Sequence, residues 1–303
     1  VYKMDQVNDK GSHLVLILDL NSNCHLLGKK EFYNKWLDAS LSFGNSHLLL
    51  SPLNKLTVIG SNLIQNMIMY PSDDCQVKPS YDGQHELFNQ VLQVVQSKLK
   101  YMFSKEIIQS HESLSPKASS LMAGAIGMAL CCIQKCKNDY KCSRIAMISS
   151  SNNASYTSQY MNFMNAFFTA QRMGVVIDVC IAGGNSSSWV TDSILHQATD
   201  LTNGIYLEIV NVSALLEYLL WCLLPDIETR TKLVLPQRKK ISPQAACFCH
   251  QKLIEIGFVC SVCLSIFCEF SPICRTCQTA FKLKSLPVNL LAKKKNKQKT
   301  NGV

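Results

Sequence analysis

The chain has 303 residues, 47% of them hydrophobic, enough for one sizeable core and an appendix, and it carries a formal net charge of +9. Residues 1–224 hold 16 basic and 17 acidic side chains, whereas residues 225–303 hold 14 basic and 4 acidic ones. This excludes a generally basic nucleic-acid-binding body and confines any attraction to nucleic acid, acidic protein or import machinery to the last quarter.

In chain order, five segments are apolar throughout: residues 14–18, 55–60, 145–149, 175–182 and 204–209. Runs without polar alternation suit central strands covered on both faces. Between them lie helical periods. Phe32, Tyr33, Trp36, Leu37 and Leu41 share one face, and so do Tyr160, Phe163, Met164, Phe167 and Phe168, a stripe expected to be core. Residues 87–103 and 121–132 read as two further helices and residues 213–224 as the last. The Pro-containing stretch 70–83 reads as a loop insertion. Strand and helix alternate, so residues 1–224 are expected to form one α/β domain with a doubly wound, mostly parallel sheet. Residues 214–224 are apolar on almost every face, which favours full burial over an interface.

The longest apolar stretch, residues 215–224, is far too short to span a bilayer and contains Glu217. The opening Val1-Tyr2-Lys3-Met4 carries no secretory pattern. We therefore expect a soluble protein of a reducing compartment, without a membrane partner, in which Cys131, Cys132 and Cys136 are buried small hydrophobes.

After Pro225 the alternation stops. Residues 225–245 hold three prolines and the cluster Arg238-Lys239-Lys240 and read as a basic linker. Seven of the fifteen cysteines then fall within residues 244–303, as Cys247-Phe248-Cys249-His250, Cys260-Ser261-Val262-Cys263, Cys268 and Cys274-Arg275-Thr276-Cys277. Two Cys-x2-Cys pairs ten residues apart are a strong zinc signal, because each pair forms a knuckle aiming two thiolates at one ion. A module this short, about 246–282, cannot bury enough apolar surface to fold unaided, so the metal supplies the missing energy. A disulfide framework is the bland reading, and nothing in the other eight cysteines pairs them. Residues 283–303 close the chain as a disordered basic tail containing Lys293, Lys294, Lys295, Lys297 and Lys299.

No Gly-rich phosphate loop, nucleophile elbow or paired-carboxylate motif is present; Gly183-Gly184 follows a strand but lacks the spacing and lysine of a phosphate loop. We read the chain as non-catalytic, with no small-molecule substrate. The first strand ends Asp19-Leu20-Asn21-Ser22-Asn23, placed like the Asp-x-Ser-x-Ser of a von Willebrand A metal site but with asparagines in place of the hydroxyls. The loop at 149–153 adds no carboxylate. Mg2+ needs anionic oxygens, so Mg2+ binding here is expected to be weak or absent.

The segments 158–165, 219–226 and 245–277 together resemble the small von Willebrand A and zinc-finger subunits of general transcription and DNA repair factor IIH (TFIIH). The resemblance covers nearly the whole chain and is most specific in its Cys-rich part. It implies a von Willebrand A-like domain followed by a C4 zinc finger, a RING-like remnant, with the finger mapping onto Cys260, Cys263, Cys274 and Cys277. It also implies a non-enzymatic core subunit in the nucleus that supports RNA polymerase II initiation and nucleotide excision repair. Its partners would be other TFIIH core subunits, chiefly a sister subunit with its own von Willebrand A domain and RING-like module. From the residues themselves, a nearly neutral α/β domain without a catalytic constellation and with the apolar segment 214–224, we expect that domain to be the principal docking surface and the zinc module a secondary brace.

Cys247, Cys249, His250 and Cys268 remain unassigned. In a cross-brace, alternate groups share an ion, and the third group here offers only Cys268, with Ser271 where a partner would stand. A second zinc therefore stays open. Two alternatives compete with the subunit reading. A RING-type ubiquitin ligase would need two complete zinc sites. A nucleic-acid-binding zinc ribbon would need more than Lys252, Arg275 and Lys282 in the module, although the linker and tail could touch phosphate.

Overall fold

The computed structural model describes residues 10–20, 30–71, 84–113, 121–150, 156, 158–183, 194–236, 244–250 and 252–281. The chain divides into two compact units, Val1–Pro243 and Gln244–Val303.

The first unit is built on a six-stranded sheet of β1 (Ser12–Asp19), β2 (Lys55–Ser61), β3 (Asn66–Tyr70), β4 (Cys142–Ser149), β5 (Val176–Ala182) and β6 (Tyr206–Ile209). The spatial order is β3-β2-β1-β4-β5-β6. Every neighbouring pair is parallel except β2–β3. The first strand is central: Val15 stands beside Thr57 on one side and Ile145 on the other. Successive side chains point to opposite faces, and β1 is buried along its whole length. Leu14, Leu16 and Leu18 join one continuous core with Trp36, Phe43, Val91 and Leu215. This is why the strands read as unbroken apolar runs.

Helices cover both faces, giving the expected doubly wound α/β architecture. They are α1 (Lys30–Leu50), α2 (Gln84–Ser113), α3 (Met122–Lys135), α4 (Tyr160–Met173), α5 (Ile194–Thr202), α6 (Leu215–Tyr218) and α7 (Ile227–Arg230). Helix α1 packs on α2 and α6, whereas α4 lies between α3 and α5. Phe163 and Phe167 of the α4 stripe are fully buried, and Phe168 is left outside. Gly174 closes α4 at φ +69°, a left-handed conformation that costs glycine little.

Besides the short α7, two elements of the first unit carry no clear mark in the sequence. The edge strand β3 is only five residues, Asn-Met-Ile-Met-Tyr, without β-branched enrichment beyond Ile68. Helix α5 buries His196, Gln197, Thr199 and Thr202 beside its apolar residues, so it shows no polar face. His196 stacks on Tyr206 at 4.2 Å, and Thr202 Oγ1 donates back to Ala198 O at 2.7 Å.

Three expectations need correction. Cys131 is exposed and Cys132 and Cys136 are half-buried; Cys180 and Cys222 are the buried thiols of this unit among the described residues. Residues 214–224 are not wholly buried. The segment passes from a 3-10 turn through α6 into a single π turn, burying Leu215, Leu219, Cys222 and Leu223 while leaving Trp221 69% exposed. Nor does the chain leave the α/β unit at residue 224. Arg230, on α7, is 8% exposed and grips Asp178 of β5 through Nη1–Oδ1 at 2.8 Å and Nη2–Oδ2 at 2.6 Å. Arg144 of β4 donates to the carbonyls of Leu223, Leu224 and Pro225 at 2.6, 2.7 and 3.0 Å. Two guanidinium groups thus cap carbonyls left free where the helical segment ends. The interval expected as a linker starts with structure belonging to the first unit. Its basic cluster at 238–240, the expected loop within 72–83 and the tail from 283 lie outside the described residues.

No helix among the described residues is long and apolar enough to cross a membrane.

Candidate metal centre

The second unit has almost no apolar interior. Its buried cluster is Phe267 with the sulfurs of Cys260 and Cys274, against which Cys249, Cys263, Cys277 and Phe281 pack. Its strands are two residues each: β7 (Ala245–Ala246) pairs with β8 (Leu253–Ile254), and β9 (Phe258–Val259) pairs with β10 (Ile266–Phe267), both antiparallel. Secondary structure this short cannot hold itself together, which leaves the cysteines as the organising element.

Cys260, Cys263, Cys274 and Cys277, the four expected ligands, come together with all Sγ atoms within 4.8 Å of one another. Two turns of the same design place them. In the first, Cys260 N donates to Ser265 O and Leu264 N to Cys260 O, each at 2.9 Å. In the second, Cys274 N donates to Thr279 O and Gln278 N to Cys274 O, again at 2.9 Å. The residue after each second cysteine adopts a left-handed φ, Leu264 at 60° and Gln278 at 61°, which turns the chain sharply under the thiols.

The sulfurs sit 3.7 Å apart for Cys260–Cys277 and 3.6 Å for Cys263–Cys274. A tetrahedral zinc at a Zn–S distance of about 2.3 Å needs roughly 3.8 Å between sulfurs, so the cage is already zinc-sized. A disulfide would demand about 2.05 Å, and all seven cysteines of the unit are free. The hydroxyl of Ser265, 3.1 Å from Cys263 Sγ, holds that thiol down at about 6, and Thr279 acts likewise on Cys277. Both favour the thiolate that a metal requires.

The four remaining donors also converge: Cys247, Cys249, His250 and Cys268 present ligand atoms within 4.8 Å of one another. Sequence reasoning looked for a second donor beside Cys268. The first group instead supplies three donors, Cys247, Cys249 and His250, all of which the sequence had left unassigned.

The sequence also singled out Asp19, which closes the upper end of β1. It is 2% exposed, and its Oδ2 accepts hydrogen bonds from Ser149 Oγ at 2.8 Å and Tyr156 Oη at 2.6 Å. Tyr156 is fully buried and meets Phe163 edge-on at 5.5 Å. Asn21 and Asn23 lie outside the described residues. What surrounds this carboxylate on the described side is a hydroxyl network linking β1 to β4. Replacing Asp19 by Ala should therefore cost about 1–3 kcal/mol in urea unfolding, the usual penalty for breaking buried hydrogen bonds. Millimolar Mg2+ should leave the wild-type curve unmoved; Mg2+ stabilisation that vanishes in Asp19→Ala would show a working cation site.

The family model described as Transcription factor Tfb4 matches residues 11–278. The chain is 35% identical over 295 residues to "General transcription and DNA repair factor IIH subunit tfb4" of Schizosaccharomyces pombe, covering 94% of each protein. It is 32% identical over 285 residues to "General transcription and DNA repair factor IIH subunit TFB4" of Arabidopsis thaliana, covering 91% of each. Among solved structures, "Crystal Structure of the TFIIH p34 N-terminal Domain" superposes with a TM-score of 0.54 at 23% identity, over 70% of this chain and 98% of that one, a likeness of fold.

Proposed function

Because the chain belongs to the Tfb4 family, we propose that it is a subunit of general transcription and DNA repair factor IIH that works by assembly and not by catalysis. The observation that carries this reading is the extent of the match, which runs through the α/β unit and the cysteine module alike over 94% of the chain. On this reading the protein acts in the nucleus, in transcription initiation and nucleotide excision repair. Its partners are other subunits of that factor, chiefly the sister subunit with a von Willebrand A domain and a RING-like module.

Cys260, Cys263, Cys274 and Cys277 would hold one structural zinc. All four positions are cysteine, so the ion would be fully ligated by protein and would supply folding energy instead of reactivity. The surfaces fit protein docking better than nucleic-acid binding. In the module, Ile256, Val262 and Leu264 are exposed at 88%, 63% and 70%, and Phe258 meets the half-exposed Phe270 edge-on. In the α/β unit, Trp221 and Tyr218 stand out from the helical segment near the fully exposed Val234. Apolar surfaces of this kind are what assembly covers. The α/β unit remains the principal docking surface in this proposal, with the module as a brace.

Tagged full-length protein captured from nuclear extract should bring down the other factor IIH subunits, identified by mass spectrometry, at comparable stoichiometry. Recovery of the soluble tagged protein without them would overturn the reading.

A further inference from the structure

We propose that Cys247, Cys249, His250 and Cys268 bind a second structural zinc, so that the module is a two-metal cross-brace and not a single finger. The inference goes beyond the C4 centre and uses none of its ligands.

Three observations carry it. The first is convergence. Cys249 Sγ lies 3.3 Å from Cys268 Sγ, and His250 Nδ1 lies 3.2 Å from the same sulfur. Cys247, 2% exposed, completes a set in which every ligand atom is within 4.8 Å of the others. For tetrahedral zinc the separations are about 3.8 Å between sulfurs and about 3.6 Å between sulfur and nitrogen, given bond lengths of about 2.3 and 2.0–2.1 Å. An ion at the centre would ask these atoms to move by a few tenths of an ångström.

The second observation is a backbone design repeated a third time. Cys247 N donates to Lys252 O at 2.9 Å, five residues on, as Cys260 N does to Ser265 O and Cys274 N to Thr279 O. In the two cysteine turns the metal donors stand at the first and fourth positions. In the third turn those positions are Cys247 and His250. The chain thus shapes a Cys-x2-His turn by the same hydrogen bond that shapes its Cys-x2-Cys turns. Cys249, between them, adds a third donor and Cys268, just after β10, the fourth.

The third is what the hairpin β7–β8 otherwise lacks. It has two residue pairs, no buried aromatic of its own, and a backbone bond from Phe248 N to Ile266 O at 2.8 Å tying it to β10. Cys268 follows that strand directly. A metal held by three donors from the first turn and one from beyond β10 would clamp the hairpin onto the rest of the module. Along the chain the two sets interleave: 247, 249 and 250, then 260 and 263, then 268, then 274 and 277. Neither half could then unfold without releasing an ion.

Three thiolates and one imidazole in tetrahedral array suit zinc, and the absence of a water or substrate position makes the site structural. The imidazole would bind neutral through Nδ1.

Native mass spectrometry of the full-length protein, purified without chelator, should find two zinc ions per chain. Cys268→Ser and His250→Ala should each retain one. X-ray absorption of the wild type needs no variant: seven sulfurs and one nitrogen shared by two ions give an average of about three and a half sulfurs per zinc. One zinc per chain with four sulfurs, unchanged by Cys268→Ser, would overturn this proposal and leave the C4 centre standing. No zinc at all would overturn both. Iron in place of zinc, or a mass two daltons low from a Cys249–Cys268 disulfide, would also overturn it.

Discussion

Replacing Cys263 by Ser should empty the C4 centre and unfold much of the second unit while the first stays folded. Among the described residues of the second unit, Phe267 is the one large buried apolar side chain, with Ala246 and three cysteines beside it and the half-buried Phe281 behind, and its four strands are two residues long. Against the backbone entropy of roughly 1–2 kcal/mol per ordered residue, that core is far too small. Apparent zinc affinities of structural sites, about 10–16 kcal/mol, are of the size needed to make up the difference. Serine in place of Cys263 leaves three thiolates and a hydroxyl, a poor zinc ligand, and replaces the sulfur that the Ser265 hydroxyl faces. Amide exchange followed by mass spectrometry should show residues 252–281 unprotected in the variant, with β1, β4 and β5 of the first unit protected as in the wild type. The expectation rests on the division of the chain into two compact units. Full zinc content or retained protection around Cys260 and Cys274 would sink the ligand assignment.

Replacing Asp178 by Ala should be the most damaging single change in the α/β unit. Asp178 is 1% exposed and takes both terminal nitrogens of Arg230 as well as the amide of Ile205 at 2.9 Å. Removing the carboxylate leaves Arg230 charged and buried, close to the 3% exposed Arg144, with the solvent-exposed Asp226 as the remaining acidic neighbour of Arg144. Breaking one side of a buried pair costs about 3–5 kcal/mol, a large share of the total stability of a typical domain. For a unit of this size that is a fall of roughly 6–20 °C in melting temperature. The double variant Asp178→Leu with Arg230→Met should recover much of the loss, because an apolar pair of similar volume avoids burying charge. A cost below about 1 kcal/mol for Asp178→Ala, or a double variant worse than the sum of the singles, would refute this account. The network also fixes where the helical segment ends, since Arg230 and Arg144 both bond the carbonyls of Leu223 and Pro225. The surface bearing Trp221 should therefore lose its shape in Asp178→Ala before the central strands do.

Much of this was legible in the chain. The parallel strands announced themselves because a strand covered on both faces is apolar at nearly every position, as Leu14 to Leu18 are throughout and Val176 to Ala182 are apart from Asp178. The convergence of Cys260, Cys263, Cys274 and Cys277 was legible because an x2 spacing has one common structural use among free cysteines. The edge strand β3 and helix α5 were not, since neither obeys a simple period: one is short and Met-rich, the other buries its polar groups through stacking and back-bonding.

By itself the sequence determined the α/β class, five largely apolar strands of the sheet and the clustering of paired cysteines after the larger unit, because burial on two faces and cysteine spacing leave local marks. Tertiary structure alone decided three things. Arg144 and Arg230 belong to the α/β unit: their partners are 79 and 52 residues away, at Leu223 and Asp178, and charged residues give no local sign of being buried. Asp19 is tied to Ser149, 130 residues on, and to Tyr156. His250 completes the set around Cys268 because the fold brings residues 18 apart within 3.2 Å, and linear spacing cannot specify which alternate turns meet. Each depends on contacts distant in sequence, which form only when the strands and turns that carry them have already packed.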